Sequence, residues 1–539
     1  MNASTTAATQ SERRTASREP WGRWGFLLAA FAVLGLALRL WHLGAEGFGD
    51  DEVHKWLAAN RYLGGDFGGD DVEHPMLMKG LIVLTLLVAR GWASPEAITR
   101  FPNAVAGAAS VVALAFLGRR LHGRTAGLIA AGLAAFSTTL IGYQRVAKED
   151  TLLGLFVIVL CWALVEARTA ADEGRSPARW ELRAAAAVGA MLASKYFVFL
   201  AAIPVVYVLW IRGETTWRIP PRRWLVLIGV AFVVFAALNW TPFMPSTWAY
   251  AHRFIATGGE TVHGQYYFMG KLYRNLVPEG LRGTPPWFYA VFLGVKLAPL
   301  TAVCALIGLC LAVAGRHKLV LSWILVWAVP MLLSGSKWGR FAVSVFPAFL
   351  LLAAYAATRA RRAVPALAAV LILWEAAVAV RHAPTYRLYI NGFGGGDHNT
   401  TWFFPHCDYF DSGLREAIEK VARAAEPGAE IDSDLEWLGV FPVRGTIEYS
   451  RLYAEWFGRR DLHYALLRRG RACRTGAPCY VLIHAGRHYS GNEEARAFLG
   501  QRPPWDVVRI QGEDVVRVYR LSPGESPFPP APAAVGGQR

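Results

Sequence analysis

Residues 23–43 read RWGFLLAAFAVLGLALRLWHL, and within a few residues the chain turns into Gly49-Asp50-Asp51-Glu52-Val53-His54-Lys55. The first stretch supplies the ~20 apolar residues that a helix needs to cross a hydrocarbon core of ~30 Å. Three consecutive carboxylates directly beyond it are costly beside lipid unless they have a task. Similar apolar blocks recur at 99–118, 125–144, 151–168, 182–194, 197–212, 224–243, 287–313, 319–334, 340–358 and 363–380. The expected fold is therefore a mainly α, polytopic membrane protein. Composition agrees, because 54% of the 539 residues are hydrophobic and only 18% are charged, against about a quarter charged in soluble domains.

The net charge of +16 would suit a nucleic-acid partner if it formed one patch. It is instead divided among the ends of apolar blocks, as in Arg119, Arg120 and Arg124 or Arg359, Arg361 and Arg362. That is the positive-inside pattern, whose partner is anionic membrane lipid rather than nucleic acid. Arg13, Arg14, Arg18 and Arg23 precede the first block and predict a cytoplasmic N-terminus.

One further run, 76–92 (MLMKGLIVLTLLVARGW), decides the parity of the remaining blocks. If it lies in the interface, the basic loops 119–124, 168–183, 212–223, 315–318 and 359–362 all face the cytoplasm. If it crosses, the loops immediately after it face the wrong side. The expectation is thus about eleven transmembrane helices with interfacial helices in the first external loop. Segments 44–98, 145–150, 244–286, the turns at Lys195 and 334–340, and everything beyond 381 then lie outside.

Four domains follow. Residues 1–22 are Ser/Thr/Ala/Arg-rich, expected to be a disordered cytoplasmic terminus, and show no cleavable signal. Residues 23–380 are the membrane body. Residues 381–522 read as a small extracytoplasmic α/β domain, with helix-like 411–425 and 491–499 and strand-like 479–485. A hairpin follows, its strands at 507–510 and 515–519, turned by Gly512-Glu513-Asp514. Residues 523–539 are a Pro-rich disordered tail. Of six cysteines, Cys161, Cys304 and Cys310 fall in apolar blocks, and Cys473 and Cys479 could bridge in an oxidising compartment.

The first loop continues through Glu73-His74-Pro75-Met76-Leu77-Met78-Lys79. Asp51-Glu52-Val53-His54 followed by His74-Pro75 and Lys79 resembles the first external loop of the protein O-mannosyltransferases. Glu73-His74-Pro75 is similar to the acidic–basic–Pro step of the aminoarabinose transferases that modify lipid A. The resemblance continues in order through Arg100-Phe101-Pro102, Gly118-Arg119-Arg120-Leu121, Gln144-Arg145 with Asp150, and Ser194-Lys195-Tyr196. It resumes at Pro285-Pro286-Trp287-Phe288-Tyr289 and Ser334-Gly335-Ser336-Lys337-Trp338-Gly339-Arg340-Phe341. It covers most of residues 24–360.

This resemblance to polyprenyl-phosphate-sugar-dependent membrane glycosyltransferases (the C-type fold) implies several things. The first span is followed by an interfacial helix pair. A sugar, most often mannose in the nearest-looking families, moves from a polyprenyl-phosphate carrier to an acceptor hydroxyl with inversion. The base lies in the Asp51-Glu52 pair, Asp51 first, and the acid at Asp150 builds the site beside it. Two departures bear on the acceptor, which could be protein, lipid or glycan. Met76 stands where the mannosyltransferases usually have a second proline, and no long β-trefoil insertion follows.

The residues themselves suit such chemistry. A carboxylate can take the proton of an acceptor hydroxyl, and a departing phosphate needs cations. Candidates for the phosphate are His74, Lys79, Lys195, Lys337 and Arg340; the plainer reading of the lysines and the arginine is as interface anchors. Glu73 and Asp150 are second acids for the acceptor. Asp51 and Asp150 could together hold a divalent cation, although a helix-end salt bridge from Arg145 or Lys148 to Asp150 is the simpler alternative.

His252, Arg253, His263, Gln265, Tyr266 and Tyr267 in the external loop read as interfacial belt residues. Gly394-Gly395-Gly396-Asp397-His398 reads as a turn near the membrane, and His406-Cys407-Asp408 is too compact for a metal site. The rival class is a lipid or solute transporter of the envelope, which should show inverted repeats and broken midplane helices; neither is visible.

Overall fold

The computed structural model describes residues 21–68, 74–256, 264–434, 448–474 and 476–530. Glu73, Arg253 and His263, and the expected disordered N-terminus to residue 20, fall outside the described residues or side chains.

The first half is a helical bundle: α1 (Trp21–Leu40), α2 (Asp50–Leu63), α3 (Met76–Ala89), α4 (Pro95–His122), α5 (Arg124–Phe136), α6 (Thr138–Gln144), α7 (Asp150–Asp172) and α8 (Ala178–Ser194). Then come α9 (Ile203–Trp210), α10 (Pro221–Leu238), α11 (Pro245–Ala256), α12 (Phe288–Lys296), α13 (Pro299–Ala314), α14 (Lys318–Leu333), α15 (Phe346–Ala357) and α16 (Val364–Arg381). Small residues let the helices meet closely. A Cβ on Gly308 would lie 2.0 Å from the carbonyl oxygen of Leu352, and one on Gly189 would lie 2.3 Å from that of Ala231. Such close approach is how helices pack where no water drives them together.

Every expected apolar block falls on helix, but their lengths differ from the eleven-span reading. Among the described residues, five helices are long and apolar enough to cross a bilayer: 22–40, 95–122, 150–172, 221–238 and 361–381. The number is up to seven if each of two bent pairs is one span, α5 with α6 at 59° and α13 with α14 at 112°. The difference arises because several blocks are broken by Pro or Gly. Phe341, for example, sits in a tight 3₁₀ segment (Gly339–Ser344) rather than in the α15 helix. The chain is a multi-pass membrane protein. The decisive run at 76–92 forms α3, 14 residues long, or ~21 Å at 1.5 Å per residue.

Beyond α16 the chain builds a five-stranded mixed sheet. Its strands are β3 (Glu430–Ser433), β4 (His463–Leu466), β5 (Cys479–His484), β6 (Asp506–Ile510) and β7 (Glu513–Leu521), in the order β4-β3-β5-β7-β6. β3 runs parallel to β4 and β5, whereas β7 is antiparallel to β5 and β6. Helix Leu414–Ala424 covers one face with Leu414, Ala417, Ile418 and Val421, the i, i+3, i+4, i+7 stripe of an amphipathic helix.

The β6–β7 turn is tighter than expected. Ile510 pairs directly with Glu513, and Gln511 and Gly512 have φ of 53° and 88°, as a two-residue hairpin turn requires. A separate hairpin, β1 (Gln265–Phe268) with β2 (Lys271–Arg274), comes from the external loop. Cys473 and Cys479 are both free and buried.

His484 on β5 is fully buried; its Nε2 lies 3.0 Å from the Ser412 carbonyl, and Nδ1 accepts from the Gly486 amide. Burial pushes its pKa down to about 3. The unfolded chain takes up a proton near pH 6.5 that the folded one refuses, so this histidine costs stability as pH falls. The cost is about 1.4 kcal/mol per pH unit between 6.5 and 3. The stability difference between the unsubstituted chain and His484→Gln, from thermal unfolding of the detergent-solubilised chains followed by tryptophan fluorescence, should follow that slope as pH falls.

Candidate functional site

Four residues fix the segment 144–150 against the start of the chain. Arg39, buried in α1, donates from Nε and Nη2 to Gln144 Oε1 at 2.8 and 2.6 Å. Arg145 donates to the carbonyls of Leu38, Arg39, Trp41 and His42, groups that the end of a helix leaves open. Arg145 is therefore a cap for α1 and not a partner of Asp150. Asn103 on α4 donates to the carbonyls of Val146 and, at 2.6 Å, Lys148. The Ala147 amide donates to Glu52 Oε1 at 2.8 Å.

With its backbone pinned, the run Lys148-Glu149-Asp150 sends three side chains to three partners. Lys148 contacts the Asp51 carboxylate. Glu149 pairs with Lys55 at 2.9 Å, and Asp150 pairs with Lys195 at 2.5 Å. Asp51 and Lys55 stand four residues apart in α2 and so share a face. That is why neighbouring residues of one segment meet them with opposite charge. Asp150 opens α7, where the helix dipole favours an anion, and Arg340 Nε lies 4.0 Å from its second oxygen.

His74 sits between the two acidic groups, Nε2 3.8 Å from Asp51 and Nδ1 4.0 Å from Glu149. Burial works to raise Glu149, but Lys55, His74 and Lys148 hold it well below the usual carboxylate range. Burial, reinforced by the repulsion of Arg340, brings the Lys148 ammonium down to about 7.

Glu52 has a different surrounding. It is fully buried, and Arg100 binds it through two bonds of 2.9 and 2.6 Å. It also accepts from the Gly49 amide at 2.7 Å. Burial alone would raise it, and Arg100 lowers it instead. With the Ala147 amide, four donors occupy its oxygens, whereas Asp51 is partly open at 16% exposure.

A narrow cavity of about 10 Å³ lies beside these groups, lined by Tyr143, Val146, Lys148, Asp150, Arg340, Arg387, Cys407 and Phe410. Arg340 Nε and the second oxygen of Asp150 are buried without a hydrogen-bond partner. The last three lining residues come from beyond α16. Arg387 is held by Glu46 at 2.6 Å and Ser412 at 2.9 Å. Next to the cavity, Asp408 pairs with Lys296 at 2.7 Å and accepts from the Tyr143 hydroxyl at 3.3 Å; burial lifts it to about 6 against the pull of Lys296. Phe410 leans on the α2 entry so closely that a Cβ on Gly49 would fall 2.1 Å from its ring.

The structure thus gathers Asp51, His74, Asp150, Lys195 and Arg340 in one place. It does not bring Lys337 to the cavity. The buried Lys337 ammonium donates to the carbonyls of Thr284, at 2.9 Å, and Ser334, and burial lowers it to about 8. Lys79 is buried too and donates to the His74 carbonyl at 3.0 Å, bracing the histidine's backbone. Asp51 and Asp150 each have their own ammonium group. Among the described residues, the one cluster with three ligand atoms within 4.8 Å of one another is Glu430, Asp432 and Cys479, and Arg471 contacts both of its acids.

Sequence reading missed Lys55, Glu149, Tyr143, Arg387, Cys407 and Phe410. The spacing of Asp51 and Lys55 was an available signal; the C-terminal residues carry none locally. The belt reading of Tyr266 and Tyr267 is also corrected. Tyr266 is buried against Phe288, Trp338 and His406, and Tyr267 stacks on His488 at 4.2 Å. The hairpin therefore joins the bundle to the sheet-bearing segment.

Residues 73–240 match the sequence profile of the family described as dolichyl-phosphate-mannose-protein mannosyltransferase. No curated protein sequence matches the chain. Among solved structures, ArnT from Cupriavidus metallidurans bound to undecaprenyl phosphate is 14% identical. That match has a TM-score of 0.52 and covers 93% of this chain and 98% of that one. The Archaeoglobus fulgidus oligosaccharyltransferase is 12% identical, with a TM-score of 0.45, covering 86% and 69%. The S. cerevisiae protein O-mannosyltransferase complex bound to the sugar donor is 16% identical, with a TM-score of 0.33, covering 51% and 44%. The resemblance to the membrane glycosyltransferase superfamily expected from the sequence is found in the family match and in the ArnT-like fold.

Proposed function

We propose that the chain transfers a sugar from a polyprenyl-phosphate carrier to an acceptor hydroxyl on the external face, with inversion and with Asp51 as base. The observation that carries this reading is the narrow cavity lined by Lys148, Asp150 and Arg340, with Lys195 paired to Asp150 and the partly open Asp51 in contact with Lys148. Lys148, Lys195 and Arg340 against Asp51 and Asp150 leave one positive charge for a phosphate, and preorganised cations stabilise a departing phosphate strongly in a water-poor site. Asp51 takes the acceptor's proton as the acceptor oxygen bonds to the anomeric carbon. The anomeric carbon–oxygen bond breaks on the opposite side, and the electron pair leaves on polyprenyl phosphate. Asp150 holds Lys195 and Arg340 in place, and His74 adds a donor when protonated. Lys79 and Lys337 support the loops that carry the site, and Glu73 is assigned to the acceptor side.

Residues 23–380 form the membrane body in this reading, with eleven crossings, α3 in the interface and the N-terminus in the cytoplasm. The two bent pairs and the Pro-broken helices then complete the crossings that length alone does not supply. The segment 381–522 lies outside and meets the acceptor, and its Arg387, Cys407 and Phe410 close the cavity. Mannose is the first sugar to try, in keeping with the family description for residues 73–240, and ArnT's bound undecaprenyl phosphate suggests the carrier.

The test uses purified full-length chain in nanodiscs with tritiated polyprenyl-phosphate mannose, and in parallel the pentose and glucose forms. Peptide, lipid and glycan hydroxyl acceptors are supplied in turn. Label should move to an acceptor from a lipid donor, with the opposite anomeric configuration in the product, and not from a nucleotide sugar. Movement of the lipid across sealed vesicles without any transfer would instead favour the transporter.

A further inference from the structure

Lys148 occupies a position that no other cation of the site shares. Its ammonium contacts Asp51, and the same side chain lines the cavity with Asp150 and Arg340. Its backbone cannot follow a ligand. The Asn103 amide holds its carbonyl at 2.6 Å, its own amide donates to the Val146 carbonyl at 2.8 Å, and the neighbouring Ala147 amide is fixed on Glu52. Only the four-carbon stem is free to swing, and a lysine ammonium serves as a compact, rotatable point charge.

The forces on that ammonium are poorly balanced. Lys195 and Arg340 repel it, and Asp150 is already committed to Lys195 at 2.5 Å. Arg340 Nε and the outer oxygen of Asp150 have no hydrogen-bond partner, so the cavity's polar lining is incomplete. An anion entering there would satisfy Arg340 and attract Lys148. Meanwhile an ammonium in contact with Asp51 lowers its basicity, because an adjacent opposite charge favours the ionised carboxylate.

Resting on the proposed transferase reading, we infer that Lys148 is a donor-operated positioning residue. In the donor-free protein it holds Asp51, and the phosphate of a polyprenyl-phosphate sugar draws it off, freeing Asp51 to take the acceptor's proton. The base is thereby kept weak until a donor is seated, and acceptor or water deprotonation in an empty site is suppressed. No bond is made or broken in this step; one ion pair exchanges for another.

The test measures binding of polyprenyl phosphate itself, which requires no turnover, to full-length chain in nanodiscs. If Lys148 must leave Asp51 to reach phosphate, then Asp51→Asn releases it beforehand and should tighten binding about tenfold. Lys148→Met should weaken binding by a similar factor, and in the Lys148→Met background Asp51→Asn should no longer tighten it. Lys148→Arg, which keeps the charge, should retain part of the coupling and guards against a variant that merely misfolds. Equal tightening by Asp51→Asn with and without Lys148 would overturn the inference, since only general charge would then be at work. No tightening at all would overturn it too. Failure of the unsubstituted chain to bind polyprenyl phosphate would instead defeat the transferase reading, so the two failures are separable.

Discussion

Asp51→Asn is expected to lower transfer from a polyprenyl-phosphate sugar by about 10²–10⁴-fold, the usual contribution of a positioned general base. The chain should still fold and still bind donor. The expectation comes from the contrast between two adjacent acids. Asp51 is partly exposed, touches one ammonium, and lies 3.8 Å from a histidine ring. Glu52 is fully buried with four donors on its oxygens. A proton acceptor needs a free lone pair in reach of the substrate, and only Asp51 has one to offer. Single-turnover assays with saturating labelled donor would report the loss in kcat directly. Retention of near-normal turnover by Asp51→Asn would remove it from the chemistry.

Much of this arrangement could be read from the sequence, and for identifiable reasons. Apolar runs of 14 to 20 residues announce helices because membrane crossing imposes a length, and the stripe Leu414, Ala417, Ile418, Val421 announces the helix that covers the sheet. The acids after the first block stood out because charge beside lipid is expensive. What failed were features set by tertiary neighbours. The count of crossings is not given by helix length alone, because the chain bends at Ser137 between α5 and α6 and at 315–317 between α13 and α14.

Asp150 reads as a second acid of the site, with a salt bridge to Lys148 or Arg145 as the plainer alternative. The real partner, Lys195, is 45 residues away, and the Lys148 ammonium goes to Asp51. Arg387 meets Glu46 across 341 residues, a distance over which no periodicity gives a sign. Tyr266 looked like a belt residue because aromatic rings near a bilayer usually are; only the hairpin's docking shows it as core. Lys195, Lys337 and Arg340 seemed equivalent as cations after apolar blocks. Their neighbours separate them, with carboxylate for the first and third and backbone carbonyls for the second.

The second large effect concerns stability. Arg100 is buried in α4 and binds both oxygens of Glu52, and it also donates to the carbonyls of Leu43, Glu46 and Gly47. It therefore ties the end of the first span, the loop behind it and the start of α2 into one piece. Arg100→Met would leave Glu52 buried and ionised with only amide donors, and breaking a buried pair in this way costs about 3–5 kcal/mol. Glu52→Gln strands the guanidinium instead and should cost a similar amount. Both variants should unfold early in thermal melts of the solubilised chain, and activity should fall with the folded fraction. The position of Asp51 depends on this anchor, because Glu52 is the next residue and its Ala147 bond also fixes the Lys148 backbone. Glu52 is thus assigned to hold the base in place and not to act as one. A Glu52→Gln chain that keeps its melting temperature and loses only kcat would reverse that assignment and give the base role to Glu52.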